Sequence, residues 1–141
     1  MDDRDRFYTM KGYMLQSDNA ITSAMEDYLE MIARLARQKK SVRAGDLSKM
    51  LHVKASSVTK MVEHLVRAGL IHAKKYGEIT LTESGQEMGD YLLYRHEVIH
   101  RFLCLVNRSK NELEQVEKIE HFLDCRTVKN LERFVEESGH L

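Results

Sequence analysis

Residues 56–71 read SSVTKMVEHLVRAGLI. Val58, Met61, Val62, Leu65 and Val66 recur at the spacing that puts apolar side chains on one helical face, and Gly69 stands where a helix stops. The flanking segments narrow what such a helix can belong to. Upstream, VRAGDLSKML reads as a shorter helix with Leu47, Met50 and Leu51 inward, joined to the first by the turn HVKAS. Before it, Ser23 and Glu26 have the spacing of a capping box, and Met25, Tyr28, Leu29, Ile32 and Leu35 mark one face of a helix running to about Gln38. Downstream, residues 71–75 and 79–82 flank a turn at Tyr76, Gly77 and Glu78, the pattern of a β-hairpin. Helix, short helix, turn, helix and hairpin in that order describe a winged helix-turn-helix, three helices plus a two-stranded wing.

The rest of the chain is helical by the same criteria. A second capping-box pair, Ser84 and Glu87, opens a long helix to about Val106. Ser109 and Glu112 start a further helix containing VEKIEHFL, and a last helix covers roughly residues 126–137. No proline occurs in 141 residues, which suits a mainly α chain. The expected organisation is an N-terminal arm at 1–22, a winged helix-turn-helix domain at 23–90, and an all-helical domain at 91–141, for which the resemblance described below implies dimerisation and metal binding.

Charge is balanced overall, with 22 basic and 22 acidic residues, but not locally. Residues 41–75 hold seven Lys/Arg against two acids, which suits a polyanion; residues 111–137 hold eight acids against four bases, which suits cations. The charged start MDDRDRFYTM has no apolar segment of a signal peptide, and no apolar run is long enough to span a bilayer. Two cysteines, Cys104 and Cys125, without a C-x-x-C pair fit a reducing compartment. A cytoplasmic protein without a membrane partner is the expectation.

A recognition helix presents its N-terminal residues to base edges, here Ser56, Ser57, Thr59 and Lys60, whose small hydroxyls and single cation permit close approach. Arg43, and Lys74, Lys75 and Tyr76 at the wing, complete the expected DNA contacts. A winged helix that docks proteins instead of DNA is the alternative.

The acidic half carries a second kind of chemistry. Glu117, Glu120 and His121 stand at i, i+3 and i+4 and share a helical face; Asp27 and Glu30 share a face of the first helix, beside its buried stripe. Four carboxylates converging on a core would repel one another unless a cation joined them. His96–His100 reads HEVIH, the H-E-x-x-H pattern in which two histidines one turn apart bind zinc and the glutamate activates water. A metallopeptidase through His96, Glu97 and His100 is therefore a competing reading, although the chain has little room for a cleft and a substrate-aligning strand. A di-iron bundle would need a second Glu-x-x-His pair; Glu137 with His140, beside Gly139 at the chain end, is badly placed for one.

SAMEDYLEMI, SSVTKMV, LLYRHE and VEKIEHFL, in that order, resemble the manganese transport regulator branch of the diphtheria toxin repressor family, over residues 23–137. The resemblance implies metal ligands at Asp27, Glu30, His96, Glu117, Glu120 and His121, holding two divalent ions per subunit. It implies a homodimer formed through the C-terminal helices, double-stranded palindromic operator DNA as partner, and no small-molecule substrate or catalysis. HEVIH is then a coincidence of pattern: His96 is the family ligand, Glu97 and His100 have no role in the resemblance, and His100 is expected as an ordinary helix-surface residue. Cys104, between Leu103 and Leu105, reads as a small core residue, Cys125 as packed or solvent-facing, and neither is assigned to metal. Independently, a donor set of carboxylates and imidazoles with no sulfur suits Mn²⁺. In the iron-sensing branch a Met and a Cys match the positions of Asp27 and Glu120, so an iron-dependent regulator of the same fold is the nearest alternative.

Overall fold

The computed structural model describes residues 21–38, 41–75 and 77–139. Most of the expected arm (1–20) and Tyr76 lie outside the described residues. In chain order the elements are α1 (Ser23–Arg37), β1 (Val42–Arg43), α2 (Ala44–Leu51), α3 (Ala55–Arg67), β2 (Ile71–Ala73), β3 (Glu78–Leu81), α4 (Glu83–Asn107), α5 (Leu113–Ile119), a 3₁₀ turn (Glu120–Phe122) and α6 (Cys125–Ser138). The chain is mainly α, with a winged helix-turn-helix followed by helices.

Helix starts are set by hydroxyls one or two residues earlier than the spacing suggested. Thr22, in extended conformation, accepts the Met25 N–H at 3.1 Å, so Ser23 is the first helical residue and Glu26 has no capping role. Thr82 does the same for α4: its hydroxyl accepts from Gly85 N–H at 3.0 Å and donates to the Gly69 carbonyl at 2.7 Å, in place of the Ser84–Glu87 box. A cap needs extended backbone, and Ser84 already lies inside α4. The Ser109 hydroxyl does bond the Glu112 carboxylate, at 2.7 Å, yet α5 begins only at Leu113.

The expected two-stranded wing is present as the hairpin β2–β3, and among the described residues β1 joins it to make a three-stranded sheet in the order β1-β3-β2. Val42 pairs with Ile79 and Arg43 with Glu78, antiparallel. A two-residue strand shows no alternation, which is why the hairpin alone was legible. Gly69 takes φ +76 after α3 and Gly77 takes φ +88 in the wing turn, a region favourable to glycine.

Two cores lie along α4. In the first, Tyr28, Leu29 and Ile32 of α1, Leu47 of α2, Val58 and Leu65 of α3, and Ile71 and Ile79 of the sheet close on Leu92. In the second, Ile99 and Leu103 pack on Val116, with Phe102, Ile119, Leu123 and Leu131 around them. Two residues expected inward face solvent: Met50 is 49% and Val66 42% exposed. Leu47 and Leu51 already cover the core side of the short α2, and Val66 lies one position around α3 from the buried Leu65.

Close approach of α4 to its neighbours depends on two glycines. A Cβ on Gly85 would stand 1.8 Å from the Leu70 carbonyl oxygen, and one on Gly89 would stand 2.7 Å from the Ala33 Cβ. The first contact fixes where α4 leaves the wing; the second fixes how closely α1 crosses α4. Gly85→Ala should therefore destabilise the fold by about 2–4 kcal/mol, above ordinary overpacking, because backbone rather than a side-chain tip must move. Gly89→Ala should cost less, about 1–2 kcal/mol, since two methyl groups can separate slightly. Urea denaturation of the two variants measures both, and equal midpoints would contradict this packing.

Candidate metal centre and nucleic-acid interface

Three elements bring acidic and imidazole side chains to one place. α1 contributes Asp27 and Glu30 one turn apart, α4 contributes His96, and the segment from α5 into the 3₁₀ turn contributes Glu117, Glu120 and His121. The expectation of one continuous helix through VEKIEHFL is corrected here: α5 ends at Ile119 and the chain tightens into a 3₁₀ turn. That tightening accompanies a fully buried Glu120 with the adjacent His121 also turned inward.

The six residues fall into two groups that share Glu120. Glu30, His96, Glu117 and Glu120 offer atoms all within 4.8 Å of one another, and so do Asp27, Glu120 and His121. His96 Nδ1 is the centre of the first, 2.9 Å from Glu120 Oε2, 3.7 Å from Glu117 Oε1 and 3.8 Å from Glu30 Oε2. In the second, His121 Nε2 lies 2.9 Å from Asp27 Oδ1 and 4.0 Å from Glu120 Oε1. Glu120 thus turns one oxygen to each group. Its Oε1 is buried and has no hydrogen-bond partner among the described residues. A buried carboxylate oxygen with nothing to accept from is costly, and an oxygen-seeking cation at that point would satisfy it. Asp27 and Glu117 keep 41% and 55% of their side chains exposed, which leaves a path in from solvent. Both the geometry and the donor chemistry therefore fit a divalent ion.

Protonation makes up for positive charge meanwhile. Burial, then the Glu120 charge, pushes the Glu30 carboxyl up to about 7. The hydrogen bond to Glu120 raises His96 against the opposing effect of burial, and burial with the Glu120 charge raises Glu117. Hydrogen bonds to Asp27 and then Glu26 push His121 up to about 10.

Glu26 and Arg95 were missed by the spacing arguments. The spacing reads Glu26 as a capping residue; the signal that places it near the cluster is its i, i+4 relation to Glu30. Arg95 is nearly fully buried beside His96 and pairs with Glu26 at 3.3 Å. Burial alone would raise Glu26, but the His121 hydrogen bond and the Arg95 charge outweigh it and hold the carboxyl low.

His100 does not join His96. Its Nε2 accepts the Glu112 N–H at 3.2 Å and lies 3.5 Å from Cys104 Sγ, so it pins the start of α5, while Glu97 is exposed. It is half-buried rather than a surface residue. Cys104 is half-buried and Cys125 exposed; neither belongs to the two groups.

On the basic face, α3 is anchored through Val58 and Leu65 and leaves Ser56, Ser57, Thr59 and Lys60 exposed. The Thr59 hydroxyl donates to the Ala55 carbonyl at 3.1 Å, which leaves its lone pairs available to accept. Arg43 is exposed where β1 meets the wing, and Lys74 and Lys75 are exposed at the wing itself, Lys74 lying 3.7 Å from the Glu78 carboxylate.

The raised groups give the metal-free protein a definite pH dependence. Between about 4.5 and about 7 the folded state holds a Glu30 proton that the unfolded chain has lost, and between about 6.5 and about 10 it holds one on His121. Extra protons on the folded state mean that stability falls as pH rises through both windows. Thermal melts in chelator should therefore show Tm dropping by several degrees from pH 6 to pH 9.5, and Glu30→Gln should flatten the lower part of that fall. A Tm that rises over this range would contradict the assignment.

A family model described as the N-terminal DNA binding domain of iron dependent repressors matches residues 20–79, α1 through most of the wing. A helix-turn-helix-type transcriptional regulator MntR from Bacillus pumilus (strain SAFR-032) is 37% identical over 121 residues, 83% of this chain and 84% of that protein. Its counterpart in Bacillus subtilis (strain 168) is 36% identical over 111 residues, 78% of each. The solved structure of the manganese regulator SloR matches with a TM-score of 0.72 and 26% identity over 82% of this chain. The chain spans 55% of the length of that structure. Identity at this level across four fifths of both chains takes in the acidic half as well as the winged helix: the chain belongs to the MntR family of helix-turn-helix transcriptional regulators.

Proposed function

We propose that the chain is a manganese-dependent repressor, most simply of manganese uptake genes, acting in the cytoplasm as a homodimer on palindromic operator DNA. The observation that carries this reading is Glu120, fully buried, shared by two ligand groups, and left with an oxygen that no group among the described residues satisfies. Asp27, Glu30, His96, Glu117, Glu120 and His121 would hold two Mn²⁺ ions per subunit. When bound, Mn²⁺ supplies the positive charge that offsets repulsion among the carboxylates. The donor set is oxygen and imidazole with no sulfur, which favours Mn²⁺ by ligand hardness.

The division proposed is a DNA-binding domain at 23–90 and a dimerising domain at 91–141, with α4 crossing the boundary. Asp27 and Glu30 ride on α1, which packs in the same core as the recognition helix α3. Glu117, Glu120 and His121 ride on the segment that packs against the far end of α4. Drawing these carboxylates together holds α1, and α3 with it, at one setting relative to the dimerising half. Leu105, Val106, Leu113, Phe122 and Phe134 are large apolar residues left exposed in that half, as a subunit interface would require. In a dimer the two α3 helices must then match half-sites about one helical turn, roughly 34–36 Å, apart. Ser56, Ser57, Thr59 and Lys60 would meet base edges, and Arg43, Lys74, Lys75 and Tyr76 the phosphates.

Fluorescence anisotropy of a labelled palindromic duplex, selected from a random pool in Mn²⁺ and read at fixed salt, tests this. Tight binding in Mn²⁺, lost in chelator and weaker in Fe²⁺ or Zn²⁺, is expected; equal weak binding throughout would instead fit a protein-docking winged helix. Metal and operator should favour each other by about 1–3 kcal/mol, read equally as tighter DNA binding in Mn²⁺ and tighter Mn²⁺ binding on DNA. His96→Ala should abolish the metal response, whereas His100→Ala should keep most of it and mainly loosen the start of α5. Glu120→Cys should move the preference away from Mn²⁺; an unchanged metal profile would remove Glu120 from the ligands.

A further inference from the structure

His121 presents its two ring nitrogens to two different carboxylates. Nε2 faces Asp27 at 2.9 Å and Glu120 at 4.0 Å, the atoms of the second candidate group. Nδ1 faces away from that group and lies 2.8 Å from Glu26 Oε1 and 3.4 Å from Arg95 Nη2; the carboxylate is much the nearer, so it takes the ring proton, and the guanidinium is paired with that same carboxylate. Glu26 belongs to neither ligand group. It is held in turn by Arg95, whose Nη2 and Nη1 reach Oε1 and Oε2 at 3.3 and 3.4 Å. Arg95 is 3% exposed and stands next to His96 on α4. One chain of contacts therefore runs from α4 through α1 to the 3₁₀ turn, touching three of the four elements that carry a ligand, all but α5.

We propose that Glu26 and Arg95 are positioning residues for the metal centre: Glu26 accepts the Nδ1–H of His121 and so reserves Nε2 for a divalent cation, and Arg95 holds Glu26 in the orientation that does this. The inference rests on His121 being a ligand. The chemistry follows from the ring. An imidazole can coordinate through Nε2 only when its proton sits on Nδ1, and a carboxylate acceptor at 2.8 Å selects that tautomer while making Nε2 a better donor. Arg95 is suited to the task because a planar fork meets both oxygens of one carboxylate, whereas a lysine would leave Glu26 free to swing. Stability is a weak explanation for the pair. Arg95 Nε is buried without a hydrogen-bond partner among the described residues, and a buried ion pair with an unmet donor gains little over an apolar pair of the same size. What an apolar pair could not do is orient an imidazole.

Calorimetric Mn²⁺ titration of the full chain and of Glu26→Gln, Glu26→Asp and Arg95→Lys tests the proposal. It is paired with ¹⁵N NMR of the His121 ring, using diamagnetic Zn²⁺ as the probe metal. Glu26→Gln keeps the volume and loses the enforced acceptor, so its Mn²⁺ affinity should fall about 10–100-fold and its His121 should no longer show a single Nδ1–H tautomer. Arg95→Lys should show a smaller loss, and Glu26→Asp, which keeps the carboxylate, should recover part of it. Glu26→Gln binding Mn²⁺ as tightly as the parent chain would overturn the proposal. So would a variant that loses affinity and thermal stability together while His121 keeps its Nδ1–H tautomer, because that marks a purely structural pair. Failure of the parent chain to bind any divalent cation would overturn the metal reading itself, a result distinct from a Glu26→Gln variant that simply matches a metal-binding parent.

Discussion

A carboxylate that is fully buried and half unsatisfied organises this protein. Glu120 has no solvent contact, bonds His96 through one oxygen and leaves the other without a donor among the described residues. Burial of a charge in that condition is unfavourable, and the surrounding groups show the consequence. Glu30 and Glu117 hold protons more tightly than ordinary carboxylates, and both histidines more tightly than ordinary imidazoles. Around Glu120 the molecule stores electrostatic repulsion that protons relieve at low pH. A sensor needs such a store: a site already content in the absence of its signal would have little reason to change when the signal arrives.

Whether that store can reach DNA depends on α4. This one helix contributes Leu92 to the winged-helix core and Ile99 and Leu103 to the second core. Gly85 and Gly89 let it lie against the Leu70 backbone and against Ala33 with no side chain between. The candidate ligands of α1 are consequently attached to α3 by a shared core, while those of the 3₁₀ turn are attached to α4. The second end of α4 is secured to α6 by Tyr94, whose hydroxyl donates to Glu132 at 2.9 Å, and by the edge-to-face contact of Phe102 with Phe134 at 5.9 Å. Rigid attachment on both sides is what would turn a change of an ångström or two at the cluster into a change in recognition-helix spacing.

Legibility varied with the range of the interaction. Every apolar residue expected on the inner face of α1 is buried, because a helix of that length repeats its pattern four times. Met50 and Val66 were misplaced because α2 is too short, and the edge of the α3 stripe too ambiguous, for periodicity to decide. The caps were misjudged for a related reason: Ser23–Glu26 and Ser84–Glu87 have correct spacing, but a threonine just upstream of each holds the extended conformation a cap requires. HEVIH shows the limit of a motif by itself. His96 enters the cluster and His100, one turn on, is turned to the Glu112 amide, a choice made by where α5 begins.

What the sequence determined alone was the order of elements, the basic and acidic halves, and the two ligand-type runs on α1 and near residue 120. These are local properties, set by composition and by helical spacing within a few turns. Tertiary structure decided which of those residues meet. The 3₁₀ turn at Glu120–Phe122, the third strand of the wing, and the Arg95–Glu26–His121 chain each depend on contacts between residues far apart in sequence, Glu26 and His121 being 95 positions apart. No periodicity encodes such a contact, because its distance is set by how closely α1 and α4 pack, and that closeness follows from the missing side chain at Gly89.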